Sequence, residues 1–182
     1  MFILCFVLVA AENSTHPLRA ATVVEPASEI TYTLTHRVHE VVGIANDEIQ
    51  VQVGLDGTVV HLHVAVPVQR FASGNARRDA TMGQTMDSDK FPLVEIFGQV
   101  SDAMPGHFPA KTRRMLTGEL IFHGVHRSLS APLELEWQSR RVVHVSAHFS
   151  FSLDAHRVER PSLMFVKVDD QLKISVNLDL QL

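Results

Sequence analysis

The chain has 182 residues, a formal net charge of -4 and 46% hydrophobic residues. That is enough for one domain with a sizeable core and short for two. The mild acidity argues against nucleic acid, which requires a basic footprint, and the composition is neither that of a disordered chain nor that of a helical membrane bundle.

Met1 to Ala11 (MFILCFVLVAA) is an unbroken apolar run. It is about half the length of a membrane-spanning helix, and it reads as the apolar core of a secretory signal, with Val9 and Ala11 offering small residues for cleavage. No Lys or Arg precedes it. The single cysteine, Cys5, lies inside the run, so the chain after cleavage carries no thiol and no disulfide. Residues 12–27, with Pro17 and Pro26, read as a polar spacer that need not pack on the domain behind it. These features predict a periplasmic or secreted protein with no stable membrane insertion once the signal is removed.

From Ile30 the period is two. Tyr32, Leu34, His36 and Val38 alternate with threonines and Arg37, and Ile49, Val51 and Val53 continue the pattern to the hairpin signal Asp56-Gly57. Val60, Leu62, Val64 and Val66 then share one face, with His61 and His63 on the other, until Pro67 ends the strand. Between Phe71 and Pro92 the alternation fails. Gly74-Asn75 turns the chain, and Met82 and Met86 fall four apart, which predicts one short helix near residues 76–88, placed to cap a barrel mouth. Alternation resumes at Val94 and Ile96, through Leu116, Gly118, Leu120 and Phe122, through Leu133, Leu135 and Trp137, through Val143 to Phe151, and through Leu172 to Leu180. Arg113 and Arg114 read as solvated charges at a strand end. The sum is an all-β domain of roughly eight strands, each apolar on one face, which points to an antiparallel sheet. Such a sheet hides its apolar face as a barrel or a sandwich, and the pattern alone leaves both open.

Three segments carry a resemblance. The first is His36-Arg37-Val38-His39-Glu40-Val41-Val42-Gly43. The second runs from Phe71 through Arg77-Arg78-Asp79 and Met82 to Phe91-Pro92, Val94 and Ile96. The third is Leu116-Thr117-Gly118-Glu119-Leu120-Ile121-Phe122-His123-Gly124-Val125-His126-Arg127. Together with Glu159 to Leu163 and Asp169 to Ile174, their order and spacing resemble the YceI-like family over about Ser28 to Leu180. The stretch before Phe91 is shorter than in many members, and His126 stands where Thr is common. The resemblance implies an eight-stranded antiparallel, lipocalin-like barrel over residues 28–182, in a periplasmic protein that binds a polyisoprenoid, an isoprenoid quinone or a fatty chain in its interior for storage, transport or protection. It allows a homodimer and implies no cofactor.

The residues expected to line such a lumen are Leu34, His36, Val38, Leu62, Val64, Phe71, Met82, Phe91, Ile96, Leu120, Phe122, Phe149 and Phe151. Gly118 is expected to leave space in its stripe. Arg78 is the candidate contact for a polar headgroup, set against a local role for Arg77, Arg78 and Asp79 in orienting the helix. Eleven histidines invite a metal or haem reading. Yet the pairs His36/His39, His61/His63 and His123/His126 lack a third converging ligand, so solvated histidines are expected instead. No nucleophile elbow, Walker loop or zinc-protease motif is present, and the acidic residues are scattered over polar faces, so no catalysis is expected. The rivals to a lipid holder are thus a histidine-based metal or haem binder and an interaction protein with a filled barrel.

Overall fold

The computed structural model describes residues 17–24, 27–36, 39–160, 162–163 and 166–182. The apolar Met1–Ala11 run and Val38 lie outside them.

The strands are β1 (Arg19–Val23), β2 (Glu29–Thr35), β3 (Glu40–Ala45), β4 (Gln50–Asp56), β5 (Val59–Pro67), β6 (Leu93–Ser101), β7 (Ala110–Phe122), β8 (Val125–Trp137), β9 (Val142–Ser152), β10 (Ser162–Leu163), β11 (Val166–Lys167) and β12 (Gln171–Gln181), with one α-helix, α1 (Ala76–Thr85). Ten strands form one sheet in the order β1-β4-β5-β6-β7-β8-β9-β12-β2-β3, and β1 also pairs with β12. The last pairing closes the ring. Along β12, Leu172 to Asn177 pair with β2, whereas Leu180 and Gln181 pair with β1, so β1 and β2 are two halves of one interrupted stave. Their other edges pair with β4 and β3 in the same way. The ten segments therefore make eight staves, each antiparallel to its sequence neighbour. This is the up-and-down barrel; the sandwich is excluded.

Residues 19–23, expected in a polar spacer, are instead part of the wall. Arg19 to Ala21 pair with Val51 to Val53, and Thr22 and Val23 with β12. Ala21 and Val23 pack on the core. The segment is only five residues long and falls between Pro17 and Pro26, so its alternation was too short to be seen. The strand ending at Phe122 likewise begins earlier than expected. Arg113 and Arg114 lie inside β7, where Arg113 pairs outward with Glu134 at 2.7 Å and the Arg114 Nε donates to the Asp102 carbonyl at 2.7 Å.

Side chains alternate as the period demands, with Lys111, Arg113, Glu134 and Lys173 exposed outside and the apolar stripes inside. That polarity is the reverse of the apolar outer band of a membrane barrel. Among the described residues no helix is long and apolar enough to cross a membrane. The helix α1 follows β5 and a 3-10 turn (Val68–Arg70), and the Asn75 side chain caps it, accepting from the amides of Arg77 and Arg78 at 3.1 Å each. Met82 and Met86 face the barrel interior.

Glycines mark where backbones crowd. Gly98 on β6 and Gly118 on β7 are register partners. A Cβ on Gly118 would stand 2.1 Å from the Phe97 carbonyl oxygen and 2.5 Å from the Gly98 Cα. Gly118 therefore leaves no room in the lumen; it lets β6 and β7 approach closely, correcting the expectation of space.

Candidate functional site

The interior is a single cavity of about 1050 Å³ that reaches both ends of the barrel. Every stave contributes apolar side chains to it. Several of these, including Leu62, Val64, Ile96, Val145, Ile174 and Val176, are only half-buried although they point inward from the middle of their strands. A packed core would cover such positions completely. Here the exposed part of each side chain borders the open lumen.

Leu34, Leu62, Val64, Phe71, Met82, Ile96, Leu120, Phe122, Phe149 and Phe151 all line the cavity. His36 and Phe91 do not. His36 is buried at the β2–β3 turn with its ring 5.7 Å from that of His39. Phe91 packs edge-on against His123, with centroids 4.8 Å apart, and a Cβ on Gly124 would meet the Phe91 ring at 2.3 Å. Phe91 thus seats the β7–β8 turn, where His123 and Gly124 adopt positive φ of 51° and 68° as a two-residue hairpin requires. The alternation that placed His36 inward ends at Thr35, and Phe91 precedes β6, so period-two counting did not apply to either.

At the helix end, Arg78 lines the cavity, with two of its donors engaged locally. Nε donates to the Ser73 hydroxyl and Nη2 to the Ser73 carbonyl, both at 2.8 Å. The Ser73 amide donates to Asp79 Oδ1 at 3.0 Å, and the Ser73 hydroxyl also bonds that carboxylate. Arg78 and Asp79 thus clamp the loop before α1 through Ser73. Nearby, burial pushes the Tyr32 hydroxyl above its ordinary pKa, and the Asp79 carboxylate adds to the effect. Gly43, the glycine of the first motif, lies under this ring; a Cβ there would stand 2.2 Å from Tyr32 Cε1.

The histidines engage separate neighbours. His63 bonds Glu95 at 2.9 Å and stacks on Phe97 at 4.0 Å, on the outer face. His126 bonds Glu119 at 2.9 Å, and His144 bonds Asp179 at 2.8 Å. Among the described residues, no group of three or more His, Cys, Asp or Glu side chains is placed to hold a metal. His156, which the pattern did not single out, is 2% exposed, wedged between Phe122 and Phe151. Its Nδ1–H donates to the Ser152 carbonyl at 2.9 Å, and burial lowers its pKa, so it is held neutral.

At the opposite end the cavity is bordered by Arg19, Arg140 and Arg141, with Trp137 just inside. The sequence signal for these was available: Arg140 and Arg141 occupy the turn between two alternating stripes, and a hairpin turn in a barrel lies at a mouth.

The fold and its lumen define a closed, antiparallel, up-and-down β-barrel with an apolar interior large enough for a ligand. The chain belongs to the YceI-like domain family, which matches residues 22–180. Solved structures agree on the architecture. A polyisoprenoid-binding domain from Saccharophagus degradans, implicated in plant cell wall breakdown, superposes with a TM-score of 0.70 at 10% identity, over 91% of this chain and 99% of that one. BcnA from Burkholderia cenocepacia gives 0.68 at 14% identity, over 84% and 95%. The YCEI protein of Campylobacter jejuni gives 0.60 at 12% identity, over 75% and 82%. No curated protein sequence matches this one.

Proposed function

We propose that this protein holds one long apolar or amphiphilic chain, a polyisoprenoid, isoprenoid quinone or fatty chain, in the barrel lumen without transforming it. The observation that carries the reading is the cavity of about 1050 Å³ bordered by half-buried mid-strand Leu, Val and Ile side chains. At ~30 Å³ per water-sized group, a cavity of this volume holds on the order of 30 carbon-sized groups. Burying roughly 20 carbons releases about 16 kcal/mol. Association and ordering cost about 8 kcal/mol, leaving about 8 kcal/mol, a micromolar affinity. The lining is apolar apart from a few groups near its ends, which suits holding a chain. The polyisoprenoid-binding domain among the similar structures supports the same ligand class. The apolar Met1–Ala11 run supports action outside the cytoplasm, in storage, transport or protection of the chain.

Native mass spectrometry of protein purified from its own host, followed by organic extraction, tests this. The expected result is a stoichiometric adduct of several hundred daltons that extracts into solvent, and the same spectrum reads whether the barrel is a monomer or a homodimer. A bare mass that does not change on incubation with isoprenoid quinones or fatty amides refutes it and favours an interaction protein.

A further inference from the structure

The two ends of the lumen differ in what their cations do. At the helix end, Arg78 spends Nε and Nη2 on Ser73. At the opposite end, Arg19 opens β1, Arg140 and Arg141 form the β8–β9 turn, and all three are exposed on the cavity rim. Among the described residues none of these three guanidiniums has an ion-pair partner. On the neighbouring β8, Glu136 and Glu134 are taken by outward-facing cations, Lys111 at 2.5 Å and Arg113 at 2.7 Å.

A second observation lies directly behind this rim. Trp137 faces the lumen and is 4% exposed, and its buried Nε1–H meets no acceptor among the described residues. That N–H has no surface open to the lumen, so the indole offers a ligand its apolar face rather than its donor. Guanidiniums on the rim of an apolar lumen suit an oxyanion at the end of a chain, because the guanidinium fork matches its geometry.

We propose that this far mouth receives the anionic head of the cargo, a carboxylate or phosphate at the end of an apolar chain, on the rim guanidiniums of Arg140 and Arg141, with the tail running towards Phe122 and Phe151 at the helix end. The proposal rests on the lumen being a chain-holding site. It assigns the head to the end away from Arg78.

The test compares palmitate, hexadecyl phosphate and hexadecanol, which share a tail and differ in the head. Binding is read by calorimetry and by the emission of the single tryptophan, which sits at the site. The wild type is expected to bind the two anions about tenfold tighter than the alcohol, the yield of one charge-assisted contact, and added salt is expected to erode that margin. Arg140→Gln with Arg141→Gln abolishes the margin and leaves hexadecanol binding intact. Lys111→Gln with Arg113→Gln, the same charge change on the outer face, keeps it. Whichever anion binds tighter identifies the head. A wild type that binds all three equally, or a margin that survives in the Arg140/Arg141 variant, overturns the head placement while leaving the chain-holding reading intact. A wild type that binds none of the three overturns both.

Discussion

Val176 offers the sharpest test of a hollow barrel. It points inward from the middle of β12, opposite Ala147 on β9 and Ile30 on β2, and is only half-buried. Val176→Trp adds about seven heavy atoms. In a filled core such overpacking costs roughly 1–3 kcal/mol, which for a domain of this size lowers Tm by about 2–4 °C per kcal/mol. In the open lumen the indole enters free space, and no such drop is expected. It displaces instead about seven carbon-sized groups of cargo, worth roughly 6 kcal/mol of gross burial at ~0.8 kcal/mol each. A flexible chain escapes part of that by ending earlier, so the expected signature is in chain length. Competition of an alkyl series against a polarity-sensitive fluorescent probe should show wild-type affinity rising with length to a plateau. In Val176→Trp the plateau should come about seven carbons sooner, with short chains binding as before. A Tm drop of several degrees with an unchanged length profile would refute the hollow-lumen argument.

Two further outcomes follow from particular contacts. Gly118→Ala drives a Cβ to 2.1 Å from the Phe97 carbonyl oxygen, a backbone atom that cannot rotate away, so urea denaturation should show a loss of about 1–3 kcal/mol or more; a change below ~0.5 kcal/mol would show that the β6–β7 approach is not a constraint. His156 is buried neutral, with its pKa below the unfolded value near 6.5, so the unfolded chain binds more protons and stability must fall as pH drops below about 6.5. His123 and the Arg127 guanidinium face it and oppose its charging. Denaturation midpoints from pH 7.5 to 5 should fall less steeply in His156→Phe, by at most ~1.4 kcal/mol per pH unit for one proton. Parallel slopes in the two proteins would remove His156 as the cause.

The fold was largely legible because one face of every long stave is apolar with period two, and a hairpin signal such as Asp56-Gly57 fixes which strands adjoin. Closure was not legible. It depends on β1, whose five residues are too few for a pattern, pairing with β12 more than 150 positions away at Thr22–Gln181. The lumen-facing set was legible wherever a residue sat inside a strand, and failed for His36 and Phe91, which lie just outside one. The Arg78–Ser73–Asp79 clamp was half legible: the residues were marked, but Ser73 was not, since a serine carries no pattern of its own. The far mouth was missed because Arg140 and Arg141 lie in the turn between two stripes, where no periodicity marks them.

If the head of the cargo sits at the far mouth, the helix end must act as a floor, and its weakest place is identifiable. Beyond the Gln50–Ala65 pair the stave beside β5 passes from β4 to β3, which does not pair with β5. There the wall is joined by one isolated bridge, in which the Ile44 amide donates to the Ala72 carbonyl at 3.0 Å and the Ala72 amide to the Ile44 carbonyl at 2.9 Å. A chain leaving past α1 would have to part this seam. Because the two residues exchange both hydrogen bonds, their Cα atoms are expected ~5.5 Å apart, inside the range a disulfide spans. Ile44 is 39% exposed, so the new bond would lie on the outer surface. Ile44→Cys with Ala72→Cys should therefore oxidise readily in chain freed of the Cys5 segment, and Tm should rise by several degrees as the loop is closed. With the head at the far mouth, stopped-flow release of a bound fluorescent fatty acid should be the same in the oxidised and reduced forms, because the cargo never crosses the seam. Release slowed tenfold by oxidation and restored by reduction would place the exit beside α1 and reverse the assignment of floor and mouth.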